Sequence, residues 1–243
     1  MMKLDTDAQI KRVTLQHSGA KALSTMLGLL LLAIAGTVKA DGKDATTIML
    51  PEPRYRSGIS LEETLRDRRS VRKYSSDSLT LADVAQLLWS GQGVSDGRDR
   101  RTSPSAGALY PLELYLVAGN VEALPSSIYQ YRPARHALSL VVVGDKRREL
   151  ATAALRQNWV SKAPAVVVIT AVYERTTRKY GDRGQKYVHM EAGHAAQNIS
   201  LQAVSLGLGA VTVGAFADRE IKQILNLPED EVALYIMPVG KTR

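Results

Sequence analysis

The chain has 243 residues with 45% hydrophobic content, enough to build a core and to exclude a fully disordered protein. It has no cysteine, which excludes disulfides, thiolate metal sites and a thiol nucleophile. The formal charge is +8, and aromatics are only 5%, so an aromatic nucleic-acid platform is not expected.

Residues 1–40 read as a leader. They carry five bases (Lys3, Lys11, Arg12, Lys21, Lys39) and two acids, so the remainder has a net charge of only +5. No charge interrupts Ala22–Val38, and Val38-Lys39-Ala40 suits signal peptidase, with cleavage before Asp41. The other reading is an uncleaved membrane anchor, for which seventeen uncharged residues is short. Lys11-Arg12-Val13-Thr14-Leu15 loosely resembles a twin-arginine export signal, and an ordinary basic n-region explains it equally well. Either way the protein is expected to be exported, to the periplasm or to the outer side of a membrane, touching the membrane only through the leader.

Residues 41–59, with Pro51, Pro53 and Gly58, read as an extended arm over the domain or a tether. The main domain spans 60–243. Ser60-Leu61-Glu62-Glu63 is a capping box opening a short helix to about Arg68. Thr80 starts a second helix, with an apolar stripe at Leu81, Val84, Leu87 and Leu88, ended by Gly91 and Gly93. Residues 94–108 read as a polar loop. Strands are predicted at Leu112–Ala118, Ser127–Tyr131 and Ala137–Val143, and a helix at Lys146–Asn158. Ala165–Tyr173 is an apolar, β-branched run, hence a central strand. Charged Glu174–Gly184 reads as a loop and Gln185–Leu206 as a long helix. Ala210–Ala215 (strand), Asp218–Leu225 (helix) and Val232–Val239 (strand) follow. Intermixed elements without strict βαβ alternation give an α+β class.

Five stretches can carry chemistry. Arg66-Asp67-Arg68-Arg69-Ser70-Val71-Arg72-Lys73 places five bases around a hydroxyl at a helix end. This suits phosphate, or simply a solvated basic end or a nucleic-acid patch. Arg101 to Pro111 is a Ser/Gly/Pro loop whose small residues admit a flat ligand. Gly207 to Phe216 is a helix end, a turn and a strand finishing in small residues, without a dinucleotide fingerprint. His189 and His194 are five apart on a helix, out of phase for zinc, so no metal is expected. Lys241 and Arg243 close the chain with two bases after a buried strand.

In this order, the pieces resemble the FMN-dependent nitroreductase superfamily over about residues 60–243. The resemblance rests on Arg68-Arg69-Ser70-Val71-Arg72, Ser103-Pro104-Ser105, Gly193-His194-Ala195-Ala196-Gln197-Asn198, Gly207-Leu208-Gly209, Val213-Gly214 and Pro238-Val239-Gly240. Ser103 to Pro111 and Arg183-Gly184-Gln185-Lys186-Tyr187 are similar to the SagB/ThcOx branch, which includes dehydrogenases that oxidise azolines to azoles in modified peptides. The resemblance implies a nitroreductase-like fold, a mostly antiparallel sheet flanked by helices, in an intertwined homodimer with two FMN sites. It implies that Arg68, Arg69, Ser70 and Arg72 hold the FMN phosphate and ribityl chain, joined by Lys241 and Arg243. Ser103, Pro104 and Ser105 would reach the flavin of the partner subunit, and Val213, Gly214 and Ala215 would line the ring edge. Lys186 and Tyr187 would face the substrate, with Lys186 the candidate base if buried; the plain alternative is two surface residues. An FMN oxidoreductase acting on a small organic substrate is expected, with NAD(P)H or another electron donor. An azoline oxidase and a flavin-binding protein without turnover are the alternatives.

Overall fold

The computed structural model describes residues 47–242; the leader and Arg243 lie outside the described residues. Strand β5 (Ala165–Val172) is buried at every position. It lies between β2 (Leu112–Ala118) and β7 (Glu231–Lys241), antiparallel to both. The remaining strands are β1 (Thr47–Met49), β3 (Ser127–Arg132), β4 (Ala137–Val143) and β6 (Leu208–Ala210). Among the described residues these seven form one antiparallel sheet in the order β1-β4-β3-β2-β5-β7-β6.

Alternating side chains divide two cores across the sheet. On one face Leu112, Leu114 and Leu116 pack with Leu87, Leu88, Ala195 and Ile199. These last four lie on α2 (Leu81–Gln92) and α6 (Arg183–Ser205). On the other face Tyr115, Val117, Val166 and Val168 pack with Leu150, Val160 and Ile221. These belong to α3 (Arg147–Ala153), α4 (Asn158–Lys162) and α7 (Asp218–Ile224). The two remaining helices are α1 (Leu61–Asp67) and α5 (Glu174–Tyr180). The capping box expected at Ser60 forms, with Glu63 N–H donating to Ser60 Oγ at 3.1 Å, and Thr80 starts α2 with another, Asp83 N–H donating to Thr80 Oγ1 at 3.1 Å. Gly91 lets α2 cross α6 closely, since a Cβ there would stand 2.9 Å from Ile199 Cδ1.

Three expectations are corrected. Glu174–Gly184 is not a loop: α5 occupies most of it, its Thr176 buried beneath charged neighbours. The helix expected over 146–158 stops at Ala153, because Leu155 and Arg156 adopt left-handed φ of 55° and 60°, which no α-helix accommodates, and α4 begins only at Asn158. The strand expected at 210–215 is the short β6. After it the chain keeps irregular contacts to β7: Val211 N–H donates to Pro238 O at 3.4 Å, and Val213 pairs with Ile236.

The arm residues from Thr47 lie along the domain. β1 pairs with β4, and Leu50 N–H donates to His136 O at 3.0 Å. Arg54 N–H donates to Gln86 Oε1 at 2.8 Å, and the Tyr55 ring meets Trp89 edge-on. Among the described residues no helix is long and apolar enough to cross a membrane.

Candidate functional site

The chain leaves α1 at Arg68 and runs beside β6. Val71 N–H donates to Ala210 O at 2.9 Å, and Ser70 bridges Ala210 in parallel. This approach needs Gly209, where a Cβ would fall 2.6 Å from Val71 Cβ. Further on, Ser75 N–H donates to Lys241 O at 2.9 Å, and Lys241 pairs with Leu208. Five of the expected phosphate residues, Arg68, Arg69, Ser70, Arg72 and Lys241, therefore gather along one edge of the sheet. Arg243 lies outside the described residues.

The donor set fits an anion. Arg69, Ser70 and Arg72 are exposed. Arg69 Nη1 donates to the α1 end carbonyls of Arg66 and Arg68, each at 2.8 Å. The Arg72 guanidinium lies 5.6 Å over the Trp159 ring, whose Nε1 is buried with no hydrogen-bond partner among the described residues. Among the described residues no carboxylate pairs with Arg68, Arg69 or Arg72; Asp67 is taken by Arg66 at 2.7 Å. Cations and an orphaned N–H without acceptors suit a phosphate.

Val213, Gly214 and Ala215 follow on the same edge. Val213 is buried and exchanges backbone hydrogen bonds with Ile236, at 2.8 and 2.9 Å. Gly214 and Ala215 are exposed, and a Cβ at Gly214 would stand 3.6 Å from the Tyr235 ring. Ala215 O accepts from Gln157 Nε2 at 3.1 Å. Extended chain covers about 10 Å between Ala210 and Val213. The edge thus offers cations at one end and small-residue backbone at the other, which suits a ligand with an anionic tail and a flat head.

The Ser103-Pro104-Ser105 loop is held elsewhere. Ser103 is buried: its Oγ donates to Gly91 O at 2.8 Å and accepts from Asn198 Nδ2 at 3.0 Å. Pro104 is exposed, and Ser105 Oγ accepts from Tyr110 N–H at 2.9 Å. Glu191, buried on α6, accepts from Ala106 N–H at 2.9 Å, and burial holds its carboxyl above the usual range. Glu191 and Ser205 are fourteen residues apart on α6, about 20 Å of helix. The loop is therefore pinned along the middle of α6, at Glu191 and Asn198, and the basic edge lies beyond the C-terminal end of that helix.

Lys186 is exposed in the first turns of α6, and Tyr187 is half-buried, its ring edge-on to Tyr180 with centroids 5.2 Å apart. The structure brings a different Lys-Tyr pair onto the loop. A Cβ at Gly107 would stand 2.8 Å from Tyr180 Oη and 2.9 Å from Lys179 Nζ. Both residues end α5, the helix that the sequence hid. The available signal was repetition, since Lys-Tyr occurs at 179–180 and again seven residues, two helical turns, later. Tyr173 Oη and His189 Nε2 also share a hydrogen bond beside this region. Among the described residues no group of three acidic, histidine or cysteine side chains can hold a metal.

The nitroreductase family model matches residues 65–241. A Methanocaldococcus jannaschii protein carrying the name of a nitroreductase is 48% identical over 198 residues, covering 82% of this chain and 98% of its own length. The microcin B17-processing protein McbC of Escherichia coli is 28% identical over 169 residues, 66% of this chain; the match spans 61% of McbC. The crystal structure of a protein described as a nitroreductase of Ralstonia eutropha superposes with a TM-score of 0.72 and 29% identity, covering 84% of this chain and 93% of that one. The antiparallel sheet flanked by helices is the nitroreductase-like fold, and the chain belongs to the nitroreductase family.

Proposed function

We propose that this protein is an FMN-dependent oxidoreductase acting on a small organic substrate. The observation that carries the reading is the single sheet edge joining Arg68, Arg69, Ser70, Arg72 and Lys241 to the exposed Gly214 and Ala215 backbone. Bound there, FMN supplies the hydride exchange. The guanidinium groups and Lys241 hold the phosphate, and the backbone at 213–215 orients the ring edge. Residues 1–40 direct export, which separates the protein from cytoplasmic NAD(P)H and leaves a choice of donors to be tested.

Two chains complete the site in this reading. In this reading the 103–110 loop, pinned along the middle of α6 by Glu191 and Asn198, reaches the ring from a second copy of the chain. Of the two Lys-Tyr pairs, Lys179 and Tyr180 are the better placed to hold or move a proton at the substrate, because they lie over that loop. Lys186 and Tyr187 would serve only if the partner covers them.

The oxidation of azolines in a modified peptide is the second reading. It is favoured by the Lys-Tyr pair over a loop of the SagB/ThcOx pattern and by the similarity to McbC.

An absorbance spectrum of the purified protein, before and after anaerobic NADPH, tests the first reading. Bands near roughly 370 and 450 nm are expected from a bound flavin. Bleaching indicates a reductase. Unbleached bands point to another donor or to binding without turnover, and a protein that stays colourless with added FMN overturns the reading.

A further inference from the structure

A second basic site lies away from the sheet edge. The β3–β4 turn, the start of β1 and Arg101 enclose a cleft of about 450 Å³, within the range of small-molecule sites. Three guanidinium groups line it: Arg101, Arg132 and Arg135. Among the described residues none of the three has an ion-pair partner. The carboxylate in the cleft wall, Glu113, is already taken by Arg175 at 2.6 Å. The lining therefore carries an uncompensated positive charge, and a concave wall concentrates its field.

The cleft is also fixed in shape. Arg101 stacks 4.7 Å over the Tyr110 ring and donates to the neutral Gln92 Oε1 at 3.1 Å; it is half-buried, and burial disfavours its charged form. Arg132 Nε donates to Ser139 Oγ at 3.1 Å, leaving its terminal nitrogens free for a ligand. The Pro133–Arg135 turn ends at His136, whose left-handed φ of 43° turns the chain sharply. His136 is held on both sides, with Nδ1 2.8 Å from Tyr131 Oη and Nε2 2.9 Å from Pro51 O. The arm thus braces the turn that carries Arg135. Three guanidinium groups without a carboxylate partner, two of them held by neutral acceptors, match the oxygens of a carboxylate or phosphate.

We propose that this cleft binds a small molecule through an oxyanion group, a carboxylate or a phosphate. The proposal does not rest on the flavin reading. The test is calorimetric titration of the full chain, saturated with FMN, with inorganic phosphate and separately with succinate. Saturable binding of either probe is expected, weakened about tenfold in R132Q/R135Q, since charge-assisted hydrogen bonds are lost. Both positions are exposed, and an unchanged thermal melt would confirm that the variant is folded. Preference for phosphate or succinate identifies the anionic group. No saturable binding of either probe up to about 20 mM, an affinity too weak for a built site, overturns the proposal. So does binding that R69Q abolishes and R132Q/R135Q leaves intact, because the anion then sits at the sheet edge.

Discussion

Glu231 begins β7 with only 2% of its surface exposed, beside the Thr170 and Tyr115 hydroxyls. Burial raises its carboxyl above the ordinary 4.5, and Glu113 nearby adds to the shift. A carboxyl raised in the folded state stabilises fully below its unfolded pKa, and that contribution is lost as pH rises through the folded value. Glu231→Gln is therefore expected to match the wild type in urea midpoint below about pH 4.5 and to gain on it as pH rises toward neutral. A constant offset across that window would show that the carboxyl is not held neutral. The Lys-Tyr pairs are separated by kinetics. Lys179→Ala should keep FMN and lose about 100-fold in kcat, the scale of a general acid or base, while Lys186→Ala stays within about twofold. The basic run around Ser70 was legible in the sequence as a cluster; that it lies along β6 was not, because its pairing with Ala210 joins distant parts of the chain. Glu191 was not legible as the loop's anchor, since nothing local marks a carboxylate that will meet an amide 85 positions away.

Gly209 sets how close the segment after α1 comes to β6. Gly209→Ala forces its new methyl into the stiff, β-branched Val71 side chain. The expected cost is about 1–3 kcal/mol of stability, read by urea denaturation, with weaker FMN retention on gel filtration. Val71→Ala in the same chain should recover most of both losses by making room, and absence of recovery would place the effect elsewhere. Elements with strong periodicity were readable to the residue. Both β2 and β4 occupy the predicted spans, because apolar runs bounded by Pro111, Gly144 and turns leave little choice. Helix α5 was not, since its one buried residue is a threonine and its surface is charged. The break between α3 and α4 falls at a leucine and an arginine, residues that ordinarily continue a helix.

At the scale of the molecule, the 103–110 loop is held along the middle of α6 while the basic edge lies past its C-terminal end, and the proposed site draws one half from each of two chains. Mixing makes this testable. A chain disabled at the edge, Arg69→Ala with Arg72→Ala, and a chain disabled at the loop, Lys179→Ala with Tyr180→Phe, should each be inactive as homodimers. Unfolded together and refolded, they should recover activity, because a mixed pair holds one site with both halves intact. Recovery no greater than the sum of the parents would mean that each chain supplies its whole site.

The order of the strands also bears on how the fold is made. β7 is the latest of the seven in the chain, yet it lies inside the sheet, between β5 and β6. It anchors β6, the 211–213 segment and, through Thr242, the stretch at Tyr74. Everything at the basic edge therefore waits for residues 231–242 to be synthesised. Until then the β5 edge is open, eight buried residues, seven of them apolar, with unpaired backbone. Assembly is governed by contacts far apart in sequence, which slows folding and prolongs exposure of that edge. A ribosome-bound chain stopped near residue 228 should therefore be protease-sensitive and prone to self-association, and release of the last strand should convert it in a single step.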